Sequence, residues 1–386
     1  FHPDIQVVSQ EARMEAWLWT MYSLLVMPLT MLALNSLFNV KGKTVFDAYL
    51  KAPLEIEGSE VRNKLAIFWV TLFSLAVLAY VLYFTKSVPL YTLLVEGDAA
   101  QASIDRITSR RNFQGIIQIK NLLGLIVVPV IAYYSYILMR NKKTFFYKFF
   151  AFVNFSIAAI MVSHDTQKAP IAFFMLGYAV LEVFISKGIS VRKFVIFFIA
   201  PVALILIGYT LTTDANLDQI TRINSAFYGR TFLTGYFGFP LSLELFPDVI
   251  VEQTYGVGVP KAILQETGLN MTESARLLKM YVHPESIVSG RGNLYSGFYM
   301  GEAWANYGYV GLIIAPMIVG FVVQAVHLFV IMNKKSPLLL AFYAGLTVKW
   351  VVGAGFTNFL FLKLLIWPLI LYSVFNFFLK RILKSS

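Results

Sequence analysis

Apolar runs of about twenty residues recur along this chain and limit its fold class before any motif is read. A helix needs roughly 20 mostly apolar residues to cross the hydrocarbon core of a bilayer. Nine such runs can be drawn, at 17–38, 65–84, 121–139, 144–163, 169–186, 193–212, 307–332, 337–353 and 358–379. Only 14% of the residues are charged, where a soluble domain carries about a quarter. The mean hydropathy is +0.67. A transmembrane β-barrel would show alternating segments of about 10 residues, not continuous apolar stretches. The expectation is an all-α polytopic membrane protein, one membrane domain over 1–386.

Basic residues orient the spans. Lys41, Lys43, Lys51, Arg62 and Lys64 fall in one loop. Arg140, Lys142, Lys143 and Lys148 fall in the next of the same side, followed by Lys187, Arg192 and Lys193, then Lys334 and Lys335. Lys380, Arg381 and Lys384 close the chain. Short loops dense in Lys and Arg are retained in the cytoplasm. The alternate loops, 1–16, 85–120, 164–168, 213–306 and 354–357, then face outside. Glu182, near a cytoplasmic end, is expected to snorkel. This topology puts the N-terminus outside. Such proteins mostly start in the cytoplasm, and the chain begins at Phe1 with no visible signal peptide, so an odd number of further spans is expected upstream.

The same rule explains the net charge of +11 without nucleic acid, which is not expected as a partner. The absence of cysteine removes disulfides, thiol catalysis and Cys-ligated metals.

The external loop 213–306 stands out by length and forms an expected subdomain. Within it, 216–227 and 272–281 read as helices, the second with Thr272 as N-cap. It ends in Gly-Glu-Ala-Trp-Ala-Asn-Tyr-Gly-Tyr-Val-Gly, residues 301–311. External cations need a reason other than retention. They are Arg106, Arg110 and Arg111, then Lys168, then Arg222, Arg230 and Arg291. A guanidinium fork matches phosphate oxygens and stays charged, so a converging set would suit a lipid diphosphate. Solvated charges or pairs with Asp105, Asp218 or Glu302 are the plainer alternative. Arg276 and Lys279 lie three apart on one helix and read as a solvated face. Lys349 and Lys363 fall near external span ends, where they either snorkel or line a polar cavity.

Two groups compete as general base. His283 follows a predicted helix in Tyr-Val-His-Pro-Glu and suits proton transfer near neutral pH. Glu302 opens the span at 307 and suits a base, an arginine partner or a sugar ligand. His164 and Asp165 are weaker candidates. Tyr228, Tyr236, Phe237, Tyr295, Tyr299, Trp304 and Tyr307 either offer faces to sugars or form an interfacial belt. There is no Walker loop, no His-Glu-x-x-His and no paired Asp motif, so no metal or other cofactor is expected.

These residues carry a resemblance to the Wzy-type O-antigen and capsule repeat-unit polymerases. Gly229-Arg230-Thr-Phe-Leu-Thr-Gly-Tyr resembles the family's Gly-Arg element. Asn293 to Gly311 resembles its approach to the next span, with Glu302, Asn306, Gly308 and Gly311 at the acidic, Asn and Gly positions. One dominant external loop in the second half adds an architectural likeness.

The resemblance implies a membrane glycosyltransferase of the C class in the bacterial inner membrane, its site facing the periplasm. It implies an undecaprenyl-diphosphate-linked glycan as donor and a lipid-linked repeat unit as acceptor. Membrane lipid, a flippase and a chain-length regulator are the implied partners. Arg230 inherits a diphosphate role, and Arg291, Arg222, Lys168, Lys349, Lys363 and Arg110 are expected to share it. An O-antigen ligase differs only in acceptor. A lipid-linked oligosaccharide flippase is the alternative of another class, but transporters carry internal repeats and midplane charges, whereas the unusual charge here is external.

Overall fold

A computed structural model of the protein describes residues 8–186, 234–251, 273–285, 297–350 and 355–384, with single positions between 195 and 210. Among these residues every regular element is a helix. We number them α1 (Gln10–Leu37), α2 (Gly42–Lys51), α3 (Glu60–Tyr83), α4 (Ala99–Arg111), α5 (Ile119–Lys142), α6 (Phe145–Ser163), α7 (Lys168–Ile185), α8 (Thr234–Leu245), α9 (Ser274–Val282), α10 (Phe298–Met332), α11 (Pro337–Trp350), α12 (Phe356–Leu360) and α13 (Lys363–Lys384).

Six helices are long and apolar enough to cross a bilayer: α1, α3, α5, α6, α10 and the Leu365–Leu383 part of α13. Ala169–Ile185 and Pro337–Val348 are shorter apolar helices. The expected span at 193–212 lies mostly outside the described residues. The protein is therefore an all-α polytopic membrane protein by the length and composition of its helices.

The chain groups into two compact units. The first comprises Phe1–Gly42, Leu217–Phe329 and Trp350–Leu365. Here α8 packs on α1 and on α9. Ser9 caps α1 by accepting from Ala12 N–H at 3.2 Å, and its hydroxyl donates to Glu244 of α8 at 2.5 Å. Phe237, Leu241 and Leu245 of α8 join Leu277 and Leu278 of α9 in one buried cluster with Val8, Ala12 and Ala305. Farther along, Gly320 of α10 lies so close to Met27 and Thr30 of α1 that a Cβ would meet the Met27 carbonyl oxygen at 2.7 Å. Gln324 donates to Asn35 at 2.6 Å beside it. Small residues let helix backbones approach where lipid removes the hydrophobic drive, and polar pairs add to the grip.

The second unit comprises Lys43–Asn216, Val330–Lys349 and Ile366–Ser386. Helices α3, α5, α6 and α7 form its bundle, with α5 packed on each of the others. Asn154 of α6 donates to Thr71 of α3 at 2.8 Å and to Ser135 of α5 at 2.9 Å, all three buried. Lys335, read above only as a cytoplasmic cation, is buried and donates to the carbonyls of Leu50 and Ala52 at the end of α2, at 3.0 and 3.3 Å. A cation there answers the helix's negative end.

Glu182 does not snorkel. It is 1% exposed and pairs with Arg140 Nε at 2.9 Å. It also accepts from Tyr136 at 2.5 Å and from Ser186 at 2.8 Å. The arginine and two hydroxyls take the place of water around the carboxylate, which lets it stay in the bundle.

The region 85–120, read as loop, contains α4. Its only large apolar residues are Ile104 and Ile107, too few to form a stripe that would announce it. Asp105, considered as an arginine partner, accepts from Thr92 at 2.8 Å and Gln101 at 2.9 Å.

Candidate functional site

The segment that ends the long loop has a sharply folded backbone. Helix α10 begins at Phe298, nine residues before the expected span at 307. It is broken at Gly308, whose φ of 55° and ψ of −141° belong to a region that only glycine adopts readily. The pre-kink part, 298–307, folds back on the continuing span. Gly311 sits under the Ala303 peptide, and a Cβ there would meet the Ala303 carbonyl carbon at 2.8 Å. The two glycines of the motif thus serve different ends, one a positive φ and the other a close approach.

Glu302 lies on the pre-kink helix, 8% exposed. Its Oε2 accepts from the Thr357 N–H at 3.0 Å, and its Oε1 accepts from the Thr357 hydroxyl at 2.9 Å. Thr357 belongs to α12. The residue before that helix, Gly355, has no side chain because a Cβ would overlap the Glu302 carboxylate. The acidic group therefore ties the start of α12 to the kinked segment. Hydrogen bonds to an ionised acceptor are the strong ones, and the α12 N-terminus adds a favourable partial charge.

Aromatic packing steadies this joint. Phe239, Met300, Ala303, Leu312, Ala315, Ala16 and Phe356 form one buried cluster. Tyr307 meets Phe356 edge-on at 5.8 Å, and Tyr299 meets Phe359 at 6.4 Å. Trp304 donates its indole N–H to the Phe246 carbonyl at 3.0 Å. Phe237 is buried in the neighbouring cluster. Of the aromatics considered as sugar faces, Tyr228 and Tyr295 lie outside the described residues. The others named here are engaged in packing. Asn306, another residue of the motif, is 2% exposed.

His283 ends α9, its N–H donating to the Lys279 carbonyl at 2.9 Å. Its Nδ1 lies 3.2 Å from Glu285 Oε1, with the imidazole 39% exposed. A carboxylate beside Nδ1 favours the neutral tautomer that carries its proton there and its lone pair on Nε2. Helix α9 starts after Glu273, which makes no side-chain cap bond, and the expected cap Thr272 lies outside the described residues. Arg276 and Lys279 do not share a solvated face: Arg276 is exposed, but Lys279 is 8% exposed. Leu277 and Leu278 pack with Ala305 and Trp304. The helices carrying His283 and Glu302 thus share one apolar cluster.

The other candidates are less defined. Arg222, Arg230 and Arg291 lie outside the described residues. Lys168 is the first residue of α7, Arg110 falls in the last turn of α4, Lys349 in the last turn of α11, and Lys363 opens α13. The side chains of these four lie outside the description.

His164 and Asp165 occupy the turn between α6 and α7. His164 is 1% exposed, its Nδ1 2.7 Å from the Met161 carbonyl and its Nε2 without a hydrogen-bond partner. Burial pulls its pKa below the usual imidazole value, and Lys120 adds to the effect, against Asp165 and the Met161 carbonyl, which raise it. Asp165 accepts from the Gln167 side chain at 2.5 Å.

Sequence reasoning missed Thr357, Gly355 and Glu285. A signal for the first two was present: Gly353-Ala-Gly-Phe-Thr-Asn interrupts an apolar stretch with residues that open helices and turns. Among the described residues no group of three or more His, Asp and Glu side chains gathers as around a metal ion. Comparison with protein-family models, with characterised proteins and with solved structures finds no match to this chain.

Proposed function

We propose that this protein is a polysaccharide polymerase that transfers a glycan from undecaprenyl diphosphate to a lipid-linked repeat unit at the external face of the bacterial inner membrane. The observation that carries this reading is the folded segment of residues 301–311, with Glu302 clamping Thr357. The stretch that resembles the polymerases is a rigid, buried joint at the mouth of a span, built from its own glycines and acid. A loop with only solvated charge would need neither Gly308 nor Gly311.

The chemistry follows from the substrate. Diphosphate is already a good leaving group, so no nucleotide is required. The acceptor's hydroxyl oxygen bonds to the anomeric carbon while the bond from that carbon to the diphosphate oxygen breaks. The hydroxyl proton passes to His283, and undecaprenyl diphosphate departs with the bonding electrons. Arg230, with Arg291 and Arg222, neutralises the charge that builds on the leaving oxygens. Glu285 orients the His283 ring. Glu302 acts as a positioning residue, not as the base, because Thr357 occupies both of its oxygens.

Replacing Arg230 in cells tests the diphosphate assignment. Arg230→Ala should abolish long chains while membrane expression stays normal. Wild-type chain length in that variant would refute it.

A further inference from the structure

We infer that the second unit holds one anionic phospholipid between α5, α6 and α7, with an acyl chain in an apolar groove and the phosphate at Lys148. The groove is an open cavity of about 310 Å³. Its α6 wall is made by Lys148, Ala151, Phe152 and Phe155, the i, i+3, i+4, i+7 spacing of a single helix face. Tyr136 and Met139 of α5 face it from one side, and Met175 and Tyr178 of α7 from the other. Lys148 stands near the start of α6, and Phe155 lies about 10 Å farther along the helix. The groove therefore has a cationic mouth where α5 turns into α6 and an apolar interior, the polarity of a phospholipid.

Two further features separate it from ordinary lipid contact. The floor is preformed by aromatic packing. Tyr178 meets Tyr136 edge-on at 5.0 Å and Phe155 at 5.9 Å. Gly177 leaves room for the Tyr133 ring that backs Tyr178 at 4.9 Å. A rigid groove costs little to fill.

The charges at the mouth are also unequal. Arg140 is neutralised by Glu182 at 2.9 Å. Lys148 is exposed and forms no ion pair among the described residues, and Lys142 and Lys143 beside it are exposed too. A cation whose stem runs along apolar surface while its head reaches the interface is suited to a lipid phosphate. The basic loops assign this end to the cytoplasmic leaflet. The site depends on the membrane helices alone and stands apart from the proposed polymerase reaction.

Purified protein in mixed micelles with phosphatidylglycerol or phosphatidylcholine tests it. Native mass spectrometry counts retained lipid, and thermal melting reports its effect. Wild-type protein should retain one phosphatidylglycerol and melt higher with it than with phosphatidylcholine. Free glycerol phosphate should leave the melting unchanged. Lys148→Ala, a change at an exposed side chain, should weaken phosphatidylglycerol retention about tenfold, the loss of one charge-assisted contact. Lys148→Arg should preserve it, and Met175→Trp, which fills the groove, should remove both lipids. Equal retention of the two lipids by wild-type protein, or undiminished retention by Lys148→Ala, would overturn the assignment.

Discussion

Thr357 donates both its backbone N–H and its hydroxyl to Glu302, at 3.0 and 2.9 Å, across 55 residues of sequence. The pair ties α12 to the kinked segment. Glu302→Ala should lower stability by roughly 1.5–3 kcal/mol, the range for a hydrogen bond to a charged group, and reduce product with it. Thr357→Val keeps the backbone N–H and loses only the hydroxyl bond, so it should cost part of that stability, and Thr357→Ser should recover it because both donors remain. Melting curves in detergent, read beside product length, check this. Were Glu302 a base instead, Glu302→Ala would lose far more product than stability, while Thr357→Val would leave product nearly unchanged.

The two glycines should fail for different reasons. Nothing lies within 4 Å of a Cβ on Gly308, so Gly308→Ala meets only its φ of 55°, a backbone cost of about 1–3 kcal/mol. Gly355→Ala meets the Glu302 carboxylate itself. It should therefore add little to a Glu302→Ala background, whereas Gly308→Ala should add nearly in full. A double-mutant cycle measured by melting distinguishes them.

His283 and Glu285 should act as a unit. Loss of a positioned base costs roughly 10²–10⁴-fold in rate. His283→Ala is expected in that range and Glu285→Gln at its lower edge or below. The double variant should be no slower than His283→Ala alone. Under the proposed mechanism Arg230→Ala should be at least as damaging as either, since its guanidinium would neutralise the leaving diphosphate. Initial rates of glycan transfer measure all four.

Asn154 should matter modestly. Its two bonds, to Thr71 and Ser135, join three helices. Interhelical polar contacts in bilayers average about 0.6 kcal/mol and reach about 1.7. Asn154→Leu is expected within that range. Asn154→Asp should cost more, because it puts an acid in the bundle. Unfolding from mixed micelles checks the order.

Acidification should destabilise the turn after α6. His164 is held neutral, its folded pKa lowered chiefly by burial and also by Lys120, against the opposing pull of Asp165 and the Met161 carbonyl. A base with a depressed folded pKa leaves the unfolded chain binding more protons, so stability rises with pH between the two values. The contribution is complete above the unfolded value of about 6.5 and is lost as pH falls below it. Melting temperature followed from pH 7.5 to 5 should drop in wild-type protein and flatten in His164→Asn.

Of the nine expected spans, six coincide with helices long and apolar enough to cross a bilayer, and these were legible because hydrocarbon thickness imposes a length on a crossing helix. The kinked segment was half legible. Gly308, Gly311 and Glu302 announced an irregular backbone, but Thr357 comes from another stretch, and no local period encodes that pairing. Glu182 was misread for the same reason: its partners Arg140 and Tyr136 lie on a different helix. Helix α8 was hidden in the long loop. Pro240 and two glycines, Gly235 and Gly238, mask its helical period, and its stability comes from packing on α1 and α9. Lys279 looked solvated because spacing on one helix says nothing of what covers it.

The proposed activity is the lengthening of a glycan on its lipid carrier. The most direct measurement gives purified protein a single undecaprenyl-diphosphate-linked repeat unit and sizes the products on a gel. A ladder of lengthening chains, with undecaprenyl diphosphate released in step, is the predicted result. Unchanged substrate from protein shown to be folded and lipid-bound would contradict it.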